Sequence, residues 1–390
     1  MPIAAAMLQL ALTTLAHAAP ASIDLDDPQQ CAACHATVVE EWTQSMHSRS
    51  HAAKDPIFAA MLAVQERKTG TALATKCAQC HSPRSPDALD TVAAKTGVSC
   101  AACHAVAAVL PGAAGAAALT AAEPGVLLGP HDLKPGASSV HGTGASPPHM
   151  RDGTSLCLTC HGNVNNSSGV ATCTTGTEAE SAGTDWLCTD CHMQKVSGPS
   201  GAVSKRRSHA SHSFPGPHPA WLADDATMLG QAVDLKAHID NGVLIVNLNN
   251  TAGHGFPTGF PGRLALVKAR GLDEAGAVVW QAWTEDPMKE SPQSVLTKVY
   301  VDDKGQPTLP PFAAKLAKDT RLAPGEQRTV RYPLPKGVHT VEVELLFMLL
   351  PKPAAKALQL EGTPEAAPKV IHRVTATDGV VPDPTPGDDE

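Results

Sequence analysis

Five times along this chain, two cysteines three residues apart are followed at once by a histidine: Cys31, Cys34 and His35; Cys77, Cys80 and His81; Cys100, Cys103 and His104; Cys157, Cys160 and His161; Cys188, Cys191 and His192. The five units use ten of the eleven cysteines. Eleven Cys and eighteen His scattered over 390 residues would give roughly a hundredth of one such unit by chance. The spacing has a chemical reason. Two thiols three apart can reach the two vinyl groups of one porphyrin, and the next residue then carries its imidazole under the iron. C-x-x-C-H is the attachment signature of c-type haem, so the expected cofactors are five covalently attached haem c groups with their iron. His35, His81, His104, His161 and His192 are then the proximal ligands.

Two other chemistries use paired cysteines. Zinc takes C-x-x-C pairs two at a time, but it has no need of a histidine after every second cysteine, and five is an odd number for pairwise sites. A disulfide framework in an exported protein gives no reason for the five histidines either. The first cysteines are separated by 46, 23, 57 and 31 residues, which is no regular repeat. Uneven spacing points to a compact cluster in which porphyrins pack against one another and pass electrons.

An iron held by one imidazole leaves its sixth position for a second protein ligand or for a substrate, and that choice separates a carrier from a catalyst. The remaining histidines cluster. "SMHSRSH" holds His47 and His51, and "GPHDLKPGASSVHGTGASPPH" holds His131, His141 and His149. "SHASHSFPGPH" holds His209, His212 and His218, and "NNTAGHGFPTGF" holds His254. Most lie near a motif or in Gly/Pro-rich stretches that can bring an imidazole down on an iron.

The first motif followed by Trp42, Ser45 and His47 resembles multihaem cytochromes related to the nitrifiers' tetrahaem cytochrome c, the acceptor for hydroxylamine oxidoreductase. In that family the histidine after the tryptophan is a distal ligand to a different haem, which here implies His47. "SSVHG" ahead of "LCLTCHG" resembles the segment carrying another distal ligand and implies His141. "CTDCHMQK" with "RRSHASHSFPGPH" resembles the last motif and its trailing histidine, implying His212, while "AGHGFPTGFPGR" resembles the element that opens the C-terminal domain and implies His254. Four distal ligands then serve five haems. His149, His218, His51 and His131 compete for the fifth place, with His149 preferred. The family also contains a haem with no distal ligand, so an open site stays an alternative.

These groups need a scaffold. Six Phe, five Trp and two Tyr in 390 residues are too few for ordinary aromatic cores, and porphyrins would supply the missing apolar bulk. The formal net charge of −8 argues against nucleic acid and favours redox-partner proteins with a basic patch. Residues 1–18 have the length and the Ala16-His17-Ala18 ending of a cleaved signal peptide, though no Lys or Arg precedes the apolar run. No stretch is long enough for a membrane span after that cleavage. Export to the periplasm or the cell exterior is expected, where haem is attached.

The fold class expected is mixed. A mostly helical and loop pentahaem domain over 19–227 is followed by an all-β, immunoglobulin-like sandwich over 228–350 and a C-terminal extension over 351–390 ending in a disordered acidic tail. Alternation around Asn241-Gly242 signals a hairpin. Turns at Asp273 to Gly276 and at Pro335-Lys336-Gly337 separate further strands. His238, His339 and His372 read as ordinary strand or surface residues. Cys173, the unmatched cysteine, is expected to be free or to pair with another chain.

Three functions fit this pattern. The leading one is electron transfer through closely packed, mainly bis-histidine haems between redox partners. A multihaem oxidoreductase with one open haem, acting on a small nitrogen or sulfur compound, is the second. Its members often alter the motif of the active haem or add a tyrosine crosslink, whereas these five motifs are uniform and Tyr300 and Tyr332 lie in the β region. The third is a self-associating subunit of an extracellular haem filament or conduit.

Overall fold

The computed structural model describes residues 23–70 and 72–378. The expected signal segment and the acidic tail lie outside these residues. The described chain divides into an early region of short helices and a later antiparallel β region. No helix among the described residues is long and apolar enough to cross a membrane.

Each motif forms a helical turn that stops at its histidine or, in the first, is kinked there. Helix α1 (Pro28–Gln44) is opened by Pro28 and by the Asp27 carboxylate, which accepts from the Gln29 amide at 3.0 Å. It departs from helical geometry at His35 (φ −117°, ψ 39°). After α2 (Pro56–Thr69), helices α3 (Ala74–His81), α4 (Val92–Thr96), α5 (Cys100–His104), α6 (Pro148–Arg151), α7 (Ser155–His161), α8 (Thr175–Ala182) and α9 (Cys188–His192) follow. Residues i, i+3 and i+4 share one helix face. Both thiols and the imidazole of every motif are therefore presented together, and ending the helix there frees the ring from the next turn. Helices of five residues such as α5 and α9 are far below the length that is stable alone.

Packing in this region is sparse in large side chains. Before residue 219 the buried hydrophobics are Val39, Trp42, Ile57, Met61, Val64, Val106 and six alanines. Buried serines (Ser45, Ser48, Ser82, Ser99, Ser146) fill much of the rest. So small a set cannot form a conventional core for such a length of chain. Trp42 is the main anchor, with its indole N–H donating to Val98 O at 2.8 Å.

In the β region, β1 (Val233–Asp240) and β2 (Val243–Asn250) form the expected hairpin. Its two turn residues, Asn241 and Gly242, both have positive φ (48° and 75°), the requirement of the tight turn that suits twisted strands. Strands β3 (Leu264–Leu272), β4 (Val278–Gln281), β5 (Val295–Val301), β6 (Lys315–Asp319), β7 (Gln327–Pro333), β8 (Thr340–Met348) and β9 (Lys369–Thr377) complete the set. One sheet runs β6-β5-β3-β8-β9 with β4 also on β3, and the other runs β7-β2-β1. All pairings are antiparallel. The two sheets share one core that includes Leu244, Val246, Leu248, Val267, Val343 and Leu345.

Two features differ from the sequence reading. The strands on either side of Pro335–Gly337 belong to different sheets, so that segment crosses between layers. The region expected as an extension from 351 contributes β9, paired along its length with β8. Most of β9 is only half-buried; without an apolar face its sequence carries little strand signal.

The polar stretch 163–183 is a seam between the two regions. Asn166 Nδ2 donates to Pro310 O and Ala313 O at 3.0 and 2.8 Å, and Lys298 Nζ donates to Thr174 Oγ1 at 2.8 Å. Cys173 is half-buried and unbridged, with its Sγ 3.7 Å from Thr175 Oγ1.

Candidate haem-ligating site

Four of the five motif histidines have one ring nitrogen tied to a backbone carbonyl. Nδ1 lies 2.6 Å from Ser200 O in His35, 2.8 Å from Ser50 O in His81, 2.7 Å from Leu128 O in His104 and 2.7 Å from Pro215 O in His192. A carbonyl only accepts, so Nδ1 carries the hydrogen and Nε2 keeps its lone pair. This is the arrangement that orients an imidazole as a metal ligand. His141, His212 and His254 are tied in the same way, to Gly142 O at 2.9 Å, Ala210 O at 2.8 Å and Gly255 O at 3.0 Å.

Three motif histidines face a second imidazole. Ring centroids are 6.2 Å apart for His161 and His47, 6.2 Å for His104 and His212, and 6.3 Å for His192 and His254. Two imidazoles on opposite sides of one metal ion, each bound through a nitrogen about 2 Å from it, place their centroids about 6 Å apart. The rings are thus spaced to hold an iron, and direct ring stacking would bring them closer. Burial, then the neighbouring imidazoles His161, His212 and His192, hold His47 down at about 3. Burial, then His104, takes His212 to about 4. Both stay neutral, the form that ligates.

The other expected ligands are placed differently. His35 and His141 both lie close enough to His104 to lower it, after burial. His81 stacks on Phe58, with centroids 3.9 Å apart and planes at 17°. His149 is 5% exposed and its Nε2 has no hydrogen-bond partner; it stands in no facing pair with a motif histidine among the described residues. His51 Nδ1 accepts from the Ala53 amide at 3.0 Å, and His131 is exposed. His218 is held at about 3 by burial and then by Arg263. His209 has both nitrogens engaged, with Gly198 O at 2.9 Å and Glu41 Oε1 at 3.1 Å.

Glu41 is a residue that sequence reading missed. Its second oxygen accepts from the His212 amide at 2.8 Å, so one carboxylate fixes both the His209 ring and the His212 backbone. Glu41 is one acidic residue of "EEW", and its partners are 168 and 171 positions away; no local pattern betrays it.

The thiols make a second map. Cys31 lies beside Cys100, Cys80 beside Cys160, and Cys157 beside Cys188, close enough for each thiol to act on the other's ionisation. The charge of Cys160 is felt at Cys103. Motif one therefore adjoins motif three, three adjoins four, and four adjoins both two and five. No group of three or more His, Cys, Asp or Glu gathers as a single-ion site among the described residues.

Glu178 anchors the His254 side. Its carboxylate pairs with Arg321 at 2.7 Å, accepts from the Gly255 amide at 3.2 Å, and accepts from the Thr174 and Thr258 hydroxyls. Burial pushes its pKa up, but these bonds and the Arg321 charge outweigh that and hold it below its ordinary 4.5. A lowered carboxyl stabilises the fold fully above its unfolded pKa and ceases to as pH falls through the folded one. With both partners nearly buried (12% and 11% exposed side chains), Glu178→Ala is expected to lose about 3 kcal/mol near neutral pH. Denaturant titrations followed by circular dichroism should show that loss shrinking below pH 4.5.

Residues 30–105, covering the first three motifs, match the family model for cytochrome c554 and c-prime. No curated protein matched the chain. Among solved structures, a penta-heme cytochrome c552 from Thermochromatium tepidum is 27% identical, with a TM-score of 0.75 over 90% of this chain and 97% of that one. The chain is similar to multihaem c-type cytochromes. That likeness supports an electron-transfer protein with covalently bound haem c and its iron, and it suggests redox-partner proteins as its contacts.

Proposed function

We propose that the chain is an exported pentahaem carrier that passes electrons between redox partners. The observation that carries this reading is the set of three facing imidazole pairs at 6.2–6.3 Å, in motifs whose cysteines are neighbours. Bound haem supplies the one-electron iron couple. The chain's own part is to tether each group by two cysteines and to orient the proximal rings through backbone carbonyls. Filling the opposite side with His47, His212, His254 and, for the first motif, His141 keeps small molecules off the metal. The order of motif contacts gives a path from one through three and four to five, with two branching from four. The β region, read as an immunoglobulin-like sandwich, contributes His254 and clasps this cluster. A hydroxylamine oxidoreductase-like protein is one electron donor this reading admits.

One observation favours a second reading. His81 faces no second imidazole among the described residues, and Phe58 stacks on the side of its ring, which suits an iron open to a small nitrogen or sulfur compound. Low-temperature EPR of the oxidised protein decides between them. Five low-spin haems would support the carrier alone. A high-spin signal from one haem in five that shifts on adding hydroxylamine or nitrite would establish the second reading, and iron content far below five would sink both.

A further inference from the structure

The loop from Thr258 to Arg263 carries a cation with no ion-pair partner among the described residues, the Asp55 carboxylate acting on it only from a distance. Arg263 donates through Nη1 to Thr258 O at 2.7 Å, while its Nε is closed off from solvent and bonded to nothing among the described residues. Gly259 makes this pose possible: its φ is +79°, and a Cβ there would lie 2.5 Å from Nη1. Arg263 lines a small cleft with Pro257, Phe260, Pro261, Lys298 and Arg321. Of the three cations, Arg321 is matched by Glu178 and Asp319. Lys298 bonds to Thr174 Oγ1 and Thr172 O, both neutral. Arg263 and Lys298 form no ion pair among the described residues.

A guanidinium whose Nε edge is enclosed and unpaired is costly unless an anion meets it. That edge matches a planar carboxylate by two parallel hydrogen bonds. Arg263 also sits among the ligand candidates, since its charge acts on His161, His218 and His254. We infer that Arg263, supported by Lys298, binds a carboxylate, and that this carboxylate is a propionate of the haem held at His161 or His192. The inference rests on the haem-carrier reading. A small oxyanion from solution would satisfy the same fork and is the alternative source.

The test uses the full, haem-loaded protein. Haem content by pyridine haemochrome comes first, and a haem-free wild type would defeat the underlying reading and not this inference alone. Optical redox titrations then compare wild type with Arg263→Gln in chloride-free buffer at several pH values. Removing the positive charge is expected to move one of the five waves to lower potential and to give that wave a pH dependence near neutrality, because the released propionate now titrates there. Normal haem content with all waves unmoved overturns the inference. Waves that coincide without added anion, but separate when nitrite is added to wild type only, overturn it in favour of a solution oxyanion. Should Arg263→Gln fail to fold, Lys298→Gln removes the neighbouring charge and leaves the fork. The same downward shift, smaller, is expected, and an unmoved wave overturns the inference there too.

Discussion

His212→Ala is expected to turn one haem from low-spin to high-spin and leave the other four unchanged. The ring it removes stands 6.2 Å from the ring of His104, and the other imidazoles near His104, His35 and His141, are the pair proposed for the first motif. The neighbouring His209 is committed through both nitrogens to Gly198 and Glu41. Low-temperature EPR reads the change directly, and added imidazole should restore the low-spin signal if the cavity is all that was lost. Because the third motif lies between the first and the fourth, the same variant should slow reduction of the motifs beyond it. An unchanged EPR spectrum would break the pairing on which the proposed function rests. Glu41→Gln is the control, since it weakens the hold on the His212 backbone and keeps the ligand.

The second large effect is expected at the fourth motif. With Cys157→Ser and Cys160→Ser together, iron per chain should fall by one, measured by mass and by metal analysis. Cys160 adjoins Cys80, its charge acts on Cys103, and Cys157 adjoins Cys188. This motif is therefore the junction of the contact map, and losing it should disconnect the fifth haem from the first. Stopped-flow reduction would show two groups of haems reducing independently where wild type shows one connected set. The matching double substitution at the second motif, which is a branch, should lose one haem and leave the through-path intact.

The motif chemistry was legible because it is local: one helical turn writes both thiols and the imidazole into five consecutive residues. The hairpin at Asn241-Gly242 was legible for the same reason, its turn geometry being demanded by two adjacent residues. The histidines found facing motif rings lie in segments the sequence singled out, but what faces what depends on chain crossings of about a hundred residues, as with His47 and His161. Resemblance, not spacing, implied their roles. His149 shows the limit. It has the position and burial of a ligand, and only the three-dimensional arrangement shows that no motif ring stands opposite. Strand β9 was hidden because its residues are half-exposed, and Arg263 because an unmet hydrogen bond leaves no trace in a sequence.

The neighbouring thiols have a consequence for how such a protein is made. Cys31 and Cys100, Cys80 and Cys160, and Cys157 and Cys188 lie beside each other across separate motifs. An unloaded chain that collapsed to this arrangement is open to welding by exchange with an oxidising disulfide, which takes up the two electrons and leaves as its dithiol. Each weld would disable two attachment sites at once. Assembly is thus a race that haem ligation must win, with the thiols held reduced and the chain held open until the tethers are made. The close approach that serves a finished conductor is the chief hazard of its biogenesis.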